Sequence, residues 1–223
     1  MRVMKKLWMC LALCQILAGS AAALAQDVVD VGLVNQLAGR VSYGAGANAN
    51  MTAQAFMKVR QGDRFVLPAY ASLRLVYFRN GRQESWLGPA TLRAGLQGSE
   101  LISGNPPTVS ALPASVPQKM ARIPDLVQGA RLGGVVVRGG GASRPSGPVP
   151  AEVEQAKGMY KAMRAQASHE DVTPELYLIS VLHEHGYIDD MAPMAEEMLK
   201  RQPETPEVRE LAKWVQMRIR SPR

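Results

Sequence analysis

One stretch constrains the fold more than any other: Lys58 to Gly95, KVRQGDRFVLPAYASLRLVYFRNGRQESWLGPATLRAG. Tyr70 to Phe78 is rich in aromatic and branched residues, the composition of a strand. Leu73, Leu75 and Tyr77 alternate with Arg74, Val76 and Phe78, so the first set is expected to face a core. Asn80-Gly81 follows, and it predicts a two-residue hairpin turn with positive φ at both positions. Gln83 to Leu87 is the expected return strand, stopped by Gly88-Pro89. Upstream, Gln61-Gly62-Asp63 marks a turn between Phe56–Val59 and Arg64–Leu67. The stretch reads as a small antiparallel β module with no recognisable catalytic set.

An ordered set of short motifs carries a resemblance. Leu37-Ala38-Gly39-Arg40-Val41, Val59-Arg60-Gln61-Gly62-Asp63, Leu73-Arg74-Leu75, Asn80-Gly81-Arg82 and Leu87-Gly88-Pro89-Ala90-Thr91-Leu92 together resemble the FecR-like domain of bacterial envelope proteins. The likeness spans about Val31 to Leu112. The family's Asp-Gly-Ser is Asn80-Gly81-Arg82 here, and Leu67-Pro68 stands where a Thr is common. The resemblance implies a β-sandwich or β-roll in an exported protein. Founding members regulate sigma factors through a cytoplasmic segment before a membrane span, so a signalling regulator is the alternative function that it implies.

The N-terminus points to the same compartment. Arg2, Lys5 and Lys6 precede the apolar run Leu7–Leu17, and Ala23-Leu24-Ala25 is a small-Xaa-small cleavage signal. This is the layout of a secretory signal peptide over residues 1–25, with the periplasm as destination. Both cysteines, Cys10 and Cys14, lie in this leader, so the mature chain is expected to use no thiol chemistry. Losing the leader's three cations lowers the formal net charge from +7 to +4. The remainder is unevenly charged: the β part and the proline-rich stretch after it are basic, and residues 151–223 are acidic. That split suggests self-association or an anionic envelope polymer as partner, and argues against nucleic acid.

Beyond the β part (26–112) the composition shifts. Pro106, Pro107, Pro113 and Pro117 break regular structure, and Gly139–Pro150 reads as a flexible linker, so residues 113–150 are expected to connect rather than to fold. A short helix is expected around Gln118–Ile123 and a strand over Leu132–Arg138. Tyr43–Thr52 reads as a surface loop. Residues 151–223 predict four helices: Ala151–Ala167, Glu175–His185 after the Thr173-Pro174 start, a third capped by Asp189 or Asp190 and ended by Pro203, and Glu207–Arg218. The expected class is therefore α+β.

Leu178, Val181, Leu182, Gly186, Ile188, Met198 and Pro203 stand near the positions of a tetratricopeptide-type helical hairpin, which Pro174–Pro206 resembles. One such repeat is fewer than the roughly three that stand alone. It therefore needs its flanking helices, the β module or a second copy. By resemblance, such helices serve protein–protein contact.

Candidate chemistry is sparse. His183 and His185 are two apart on a helix and point to opposite sides, so they cannot share a metal ion. Met191, Met194 and Met198 recur on one face, with Met159 and Met163 before them, a spacing that fits core packing or, as a lesser alternative, copper binding in the periplasm. Tyr77, Arg79, Arg82, Trp86 and Arg93 are the candidate binding surface, an aromatic and arginine mixture suited to acidic polymers; the competing expectation buries Tyr77 and Trp86. No nucleophile, base and oxyanion donors are arranged for catalysis, and no cofactor is implied. The expected function is a non-catalytic binding or assembly module of the envelope, contacting another protein, a polymer or its own copies, with no membrane span left after cleavage.

Overall fold

The computed structural model describes residues 29–46, 49–132, 145 and 147–220. The expected leader, most of the Gly139–Pro150 linker and the strand expected over Leu132–Arg138 lie outside the described residues, save Leu132 itself. Ten strands come first: β1 (Asp30–Ala38), β2 (Ser42–Ala45), β3 (Met51–Thr52), β4 (Lys58–Arg60), β5 (Asp63–Leu67), β6 (Ser72–Tyr77), β7 (Arg82–Leu87), β8 (Ala90–Ala94), β9 (Ser99–Gly104) and β10 (Thr108–Ala111). Six helices follow among the described residues: α1 (Val116–Met120), α2 (Ile123–Arg131), α3 (Ala151–Gln166), α4 (Thr173–Glu184), α5 (Ile188–Arg201) and α6 (Pro206–Arg220). The class is α+β, two five-stranded antiparallel sheets followed by a helical layer.

The first sheet has the order β10-β7-β6-β1-β4 and the second β3-β2-β5-β8-β9. Their inner faces make one core from Val34, Leu73, Leu75, Tyr77 and Trp86 of the first and Phe65, Leu67 and Leu92 of the second. The chain passes between sheets at short corners. Gly62 (φ +88°) takes it from β4 to β5, with its N–H donated to the Ala94 carbonyl at 2.8 Å. The Gly-Asp turn is thus a corner between sheets and not a hairpin between paired strands. Gly88 makes the crossing from β7 to β8, where a Cβ would lie 1.8 Å from the Pro68 carbonyl oxygen, so only glycine fits.

The β6–β7 hairpin differs from the two-residue turn that the sequence predicts. Its connection is Phe78 to Gly81, closed by Gly81 N–H to the Tyr77 carbonyl at 3.0 Å, and of Asn80 and Gly81 only Gly81 has positive φ. Asn80 braces the turn with its side chain instead, accepting from Arg82 N and donating to the Gln97 carbonyl.

The helical layer lies on the outer face of the first sheet. Leu33, Val76 and Phe56 pack with Ile123, Val153, Leu176, Ile179, Met191 and Leu211 in a second core. Helix α4 is buried from Thr173 through Leu182, which places it at the centre of this layer. The stretch expected as linker contributes α1 and α2 to the same core, so chain folding resumes at residue 116. Helix α5 starts at Ile188 rather than at an Asp cap; Asp189 and Asp190 sit in its first turn, where they favour the positive end of the helix dipole. Met191 and Met198 are fully buried, and Met159, Met163 and Met194 pack against the same core. Among the described residues, no helix is long and apolar enough to cross a membrane.

Polar contacts lock the two parts together. Arg131 reaches Gln54 of the β part and Glu207 and Glu210 of α6 at 2.6–2.8 Å. Lys58 pairs with Asp125 at 2.9 Å, and Lys119 with Glu152 and Glu184 at 2.6 and 2.7 Å. Much of the charge split visible in the sequence is therefore matched within one molecule.

Candidate functional site

The five residues of the expected binding surface do not meet. Tyr77 and Trp86 alternate inward on β6 and β7 and lie inside the sandwich, at most 1% exposed. Their polar tips are satisfied there: Tyr77 hydroxyl meets Ser99 Oγ at 2.7 Å, and Trp86 Nε1 donates to Glu84 Oε2 at 3.1 Å. Burial pushes the Tyr77 phenol well above its ordinary pKa. Arg82 serves this interior, its Nε donating to the fully buried Glu84 at 2.6 Å. Arg79 is exposed at the β6–β7 turn, and Arg93 lies on the other sheet. The aromatic reading fails because both rings fall on the inward phase of their strands.

A different arrangement emerges on the outer face of the first sheet. The helical layer covers the β1 and β6 side and leaves β7 and β10 open, so α3 forms a wall beside a floor of strand residues. The floor is built by register: Arg74 opposes Ser85, Ser85 opposes Thr108, and Gln83 opposes Ser110. The wall is one face of α3, Met159, Ala162, Met163 and Gln166. The resulting groove holds about 660 Å³.

Its inner end is an ordered polar chain. Arg74 Nε donates to Ser85 Oγ at 3.1 Å, and its Nη1 lies 3.0 Å from Asp171 Oδ2 as an ion pair outside hydrogen-bond alignment. Asp171 Oδ1 accepts from the Thr173 N–H at 2.9 Å and from its hydroxyl. Thr173 Oγ1 accepts from Asn35 Nδ2 at 2.8 Å. This chain ties β1 and β6 to the first turn of α4 and leaves Arg74 neutralised. Behind it, Glu175 is buried between Arg164 (3.2 Å) and Arg201 (3.5 Å), clasping α3, α4 and α5.

Gln83 stands out on the floor. It is 6% exposed, and its side-chain amide has no hydrogen-bond partner among the described residues. Its amide faces the groove and is not among the shielded polar atoms that lack a partner, so it is free to exchange solvent for an incoming polar group. Beside it β10 is the last strand of the sheet among the described residues, with every residue exposed. At the far end of the β7 row Leu87 is 70% exposed.

The groove offers amide, hydroxyl and thioether contacts beside the last strand of the sheet. No histidine or cysteine is among its lining residues, and its guanidinium and carboxylate, Arg74 and Asp171, lie 3.0 Å apart. The histidines lie elsewhere: His183 tilts against Trp214 with 5.7 Å between ring centroids, and His185 meets Glu152 at 3.1 Å. Among the described residues, no three His, Cys, Asp or Glu side chains cluster as metal ligands would. Sequence patterning missed the groove because its signal is a register: Gln83, Ser85, Thr108 and Ser110 look like ordinary surface residues until β7 and β10 pair. No family model, characterised protein or solved structure matches the chain.

Proposed function

We propose that this chain is a non-catalytic, exported binding module whose groove holds an extended segment of a partner protein. The observation that carries the reading is the groove itself, whose polar floor of Gln83, Ser85, Thr108 and Ser110 lies beside β10, the last strand of the sheet among the described residues. A segment added beside β10 gains main-chain hydrogen bonds from the edge, while alternate side chains reach the floor and the methionine wall. Thioether side chains suit such a wall because they adapt to irregular partners. The absence of an exposed aromatic on the floor disfavours sugar stacking there. The leader and the FecR-like motif order support placement in the bacterial envelope.

The test is photo-crosslinking in intact cells, with a photoreactive residue at Ser110 and, for comparison, at Glu204, which is exposed on the helical side. Ser110 should capture a protein through one extended segment, and Gln83→Ala should reduce that capture several-fold with an unchanged melting temperature. Equal capture from Glu204, or capture indifferent to Gln83→Ala and Met163→Asp, would overturn the reading.

A further inference from the structure

The outer face of the second sheet carries a separate feature. Strand register lines up Gly44 of β2, Arg64 of β5, Arg93 of β8 and Glu100 of β9 in one row. The neighbouring row is Ser42, Val66, Thr91 and Ser103. These side chains point away from the sandwich core, because Phe65, Leu67 and Leu92 take the inward phase. The helical layer packs on the other sheet, and among the described residues no helix covers this face.

Arg64 and Arg93 oppose each other directly across β5 and β8. Like charges in that position destabilise a sheet. Neither is neutralised in a close ion pair. Arg93 has only the exposed Glu100 at 4.0 Å, a contact that contributes little in water, and Arg64 has no carboxylate partner among the described residues. Arg64 Nε is shielded from solvent yet has no acceptor. The hydroxyls of Thr91, Ser42 and Ser103 lie in the neighbouring row beside the pair. In the first sheet, by contrast, Arg74 and Arg82 each have a carboxylate within 3.0 Å.

We propose that this face binds a phosphate-bearing polymer through Arg64 and Arg93. Two guanidinium forks on adjacent strands match a tetrahedral anion, whose several oxygens can accept from both at once; a planar carboxylate presents one bidentate edge. The opposed arginines are relieved by an anion between them. The hydroxyl-bordered row of strand residues suits a chain laid across the strands. This feature is independent of the groove: it lies on the opposite face of the sandwich and shares no residue with it.

The test uses the purified protein with inorganic polyphosphate as probe and uncharged dextran as reference, followed by fluorescence anisotropy. Polyphosphate should bind with an affinity that falls as salt rises. The Arg64→Ala/Arg93→Ala double variant should weaken it at least about ten-fold, and Arg64→Lys/Arg93→Lys should recover only part, since the forks are lost. Thr91→Glu keeps both arginines in place but sets a carboxylate beside them, and should weaken binding comparably. Arg209→Ala, on α6, should change nothing. The proposal is overturned if polyphosphate binds no better than dextran, if the arginine variants bind as tightly as the parent, or if phosphatidylglycerol vesicles are bound and polyphosphate does not compete, which would assign the face to a membrane surface.

Discussion

On their inner faces β6 and β5 look alike: Leu73, Leu75 and Tyr77 in one, Phe65 and Leu67 in the other, all buried in the sandwich. Their outer faces part company. The outward row of β6 includes Val76, fully buried under the helical layer, whereas that of β5 carries Arg64 and Val66, only half-buried and, among the described residues, not covered by a helix. The difference teaches how to read a strand whose polar phase is interrupted by an apolar residue. A single buried face gives clean alternation; Leu33 and Val76, apolar on the phase that should be polar, are the trace of a second layer. That trace says a sheet is covered on both sides without saying what covers it.

The sharpest way to break this contrast is to place the same charge on both outer faces. Val76→Asp buries an unpaired carboxylate between sheet and helices and should cost at least about 4 kcal/mol or abolish folding. Val66→Asp on the other sheet should stay within about 1 kcal/mol, and urea unfolding distinguishes the two. Equal losses would mean that the helical layer does not use the first sheet as its floor.

A smaller effect should come from the ion pairs of the two sheets. Asp171→Ala strands Arg74 and the Thr173 N–H and should cost about 2–4 kcal/mol. Arg93→Ala removes the 4.0 Å contact to Glu100 and also the like charge facing Arg64, so it should change stability by no more than about 0.5 kcal/mol in either direction. Chemical denaturation of both variants checks the ratio.

Acid should act with opposite sign on the two regions. The Lys119 ammonium, with help from Arg122, holds the Glu184 carboxyl below its ordinary value of 4.5. Its folded pKa is depressed, so its contribution is present above that value and is lost as pH falls through the lower folded pKa. Burial at the β4–β5 corner instead raises the Asp63 pKa above 3.8, against the opposing donation from the Arg60 N–H. There the fold disfavours the charge, and the penalty fades as pH falls through the raised value. Lys119→Met should therefore flatten the acid side of a melting profile. Asp63→Asn, which keeps an acceptor for the Arg60 N–H, should raise the melting temperature slightly at neutral pH, by less than about 1 kcal/mol in stability, with no gain below the ordinary carboxylate range. A melting temperature that falls at neutral pH would refute the burial account of Asp63.

The elements with strong local signals were legible. The alternation of β6, the Thr173-Pro174 start and Gly186 end of α4, and the lengths of α3 and α6 all follow from short-range patterns. What was not legible depends on pairing. Gln61-Gly62-Asp63 announces a turn, yet nothing in those residues says that it leaves one sheet for the other. Pro113 and Pro117 suggest a linker, while Val116, Met120, Ile123 and Val127 already carry helical apolar spacing that the prolines overshadow. Trp86 admits two readings in the sequence, a surface aromatic among arginines or a core residue, and its inward phase on β7 decides for the core. Arg64 and Arg93, 29 positions apart, become a pair only through the β5–β8 register.

The corners that shuttle the chain between sheets also bear on how the molecule forms. β1 lies between β4 and β6, β5 between β2 and β8, and β7 between β6 and β10, so the centre of each sheet waits for strands made much later in the chain. Apart from the pairs β2–β3, β6–β7 and β8–β9, the sheet pairings join strands that are not neighbours in sequence, and the chain crosses repeatedly between the sheets. Long loops must be organised before most pairings stabilise anything, which favours slow, all-or-none folding of the sandwich. The helices, whose contacts are largely between sequence neighbours, carry no such delay and still require the finished outer face of the first sheet to dock. The order of assembly is thus written into the topology: helices form quickly, but they find their place last.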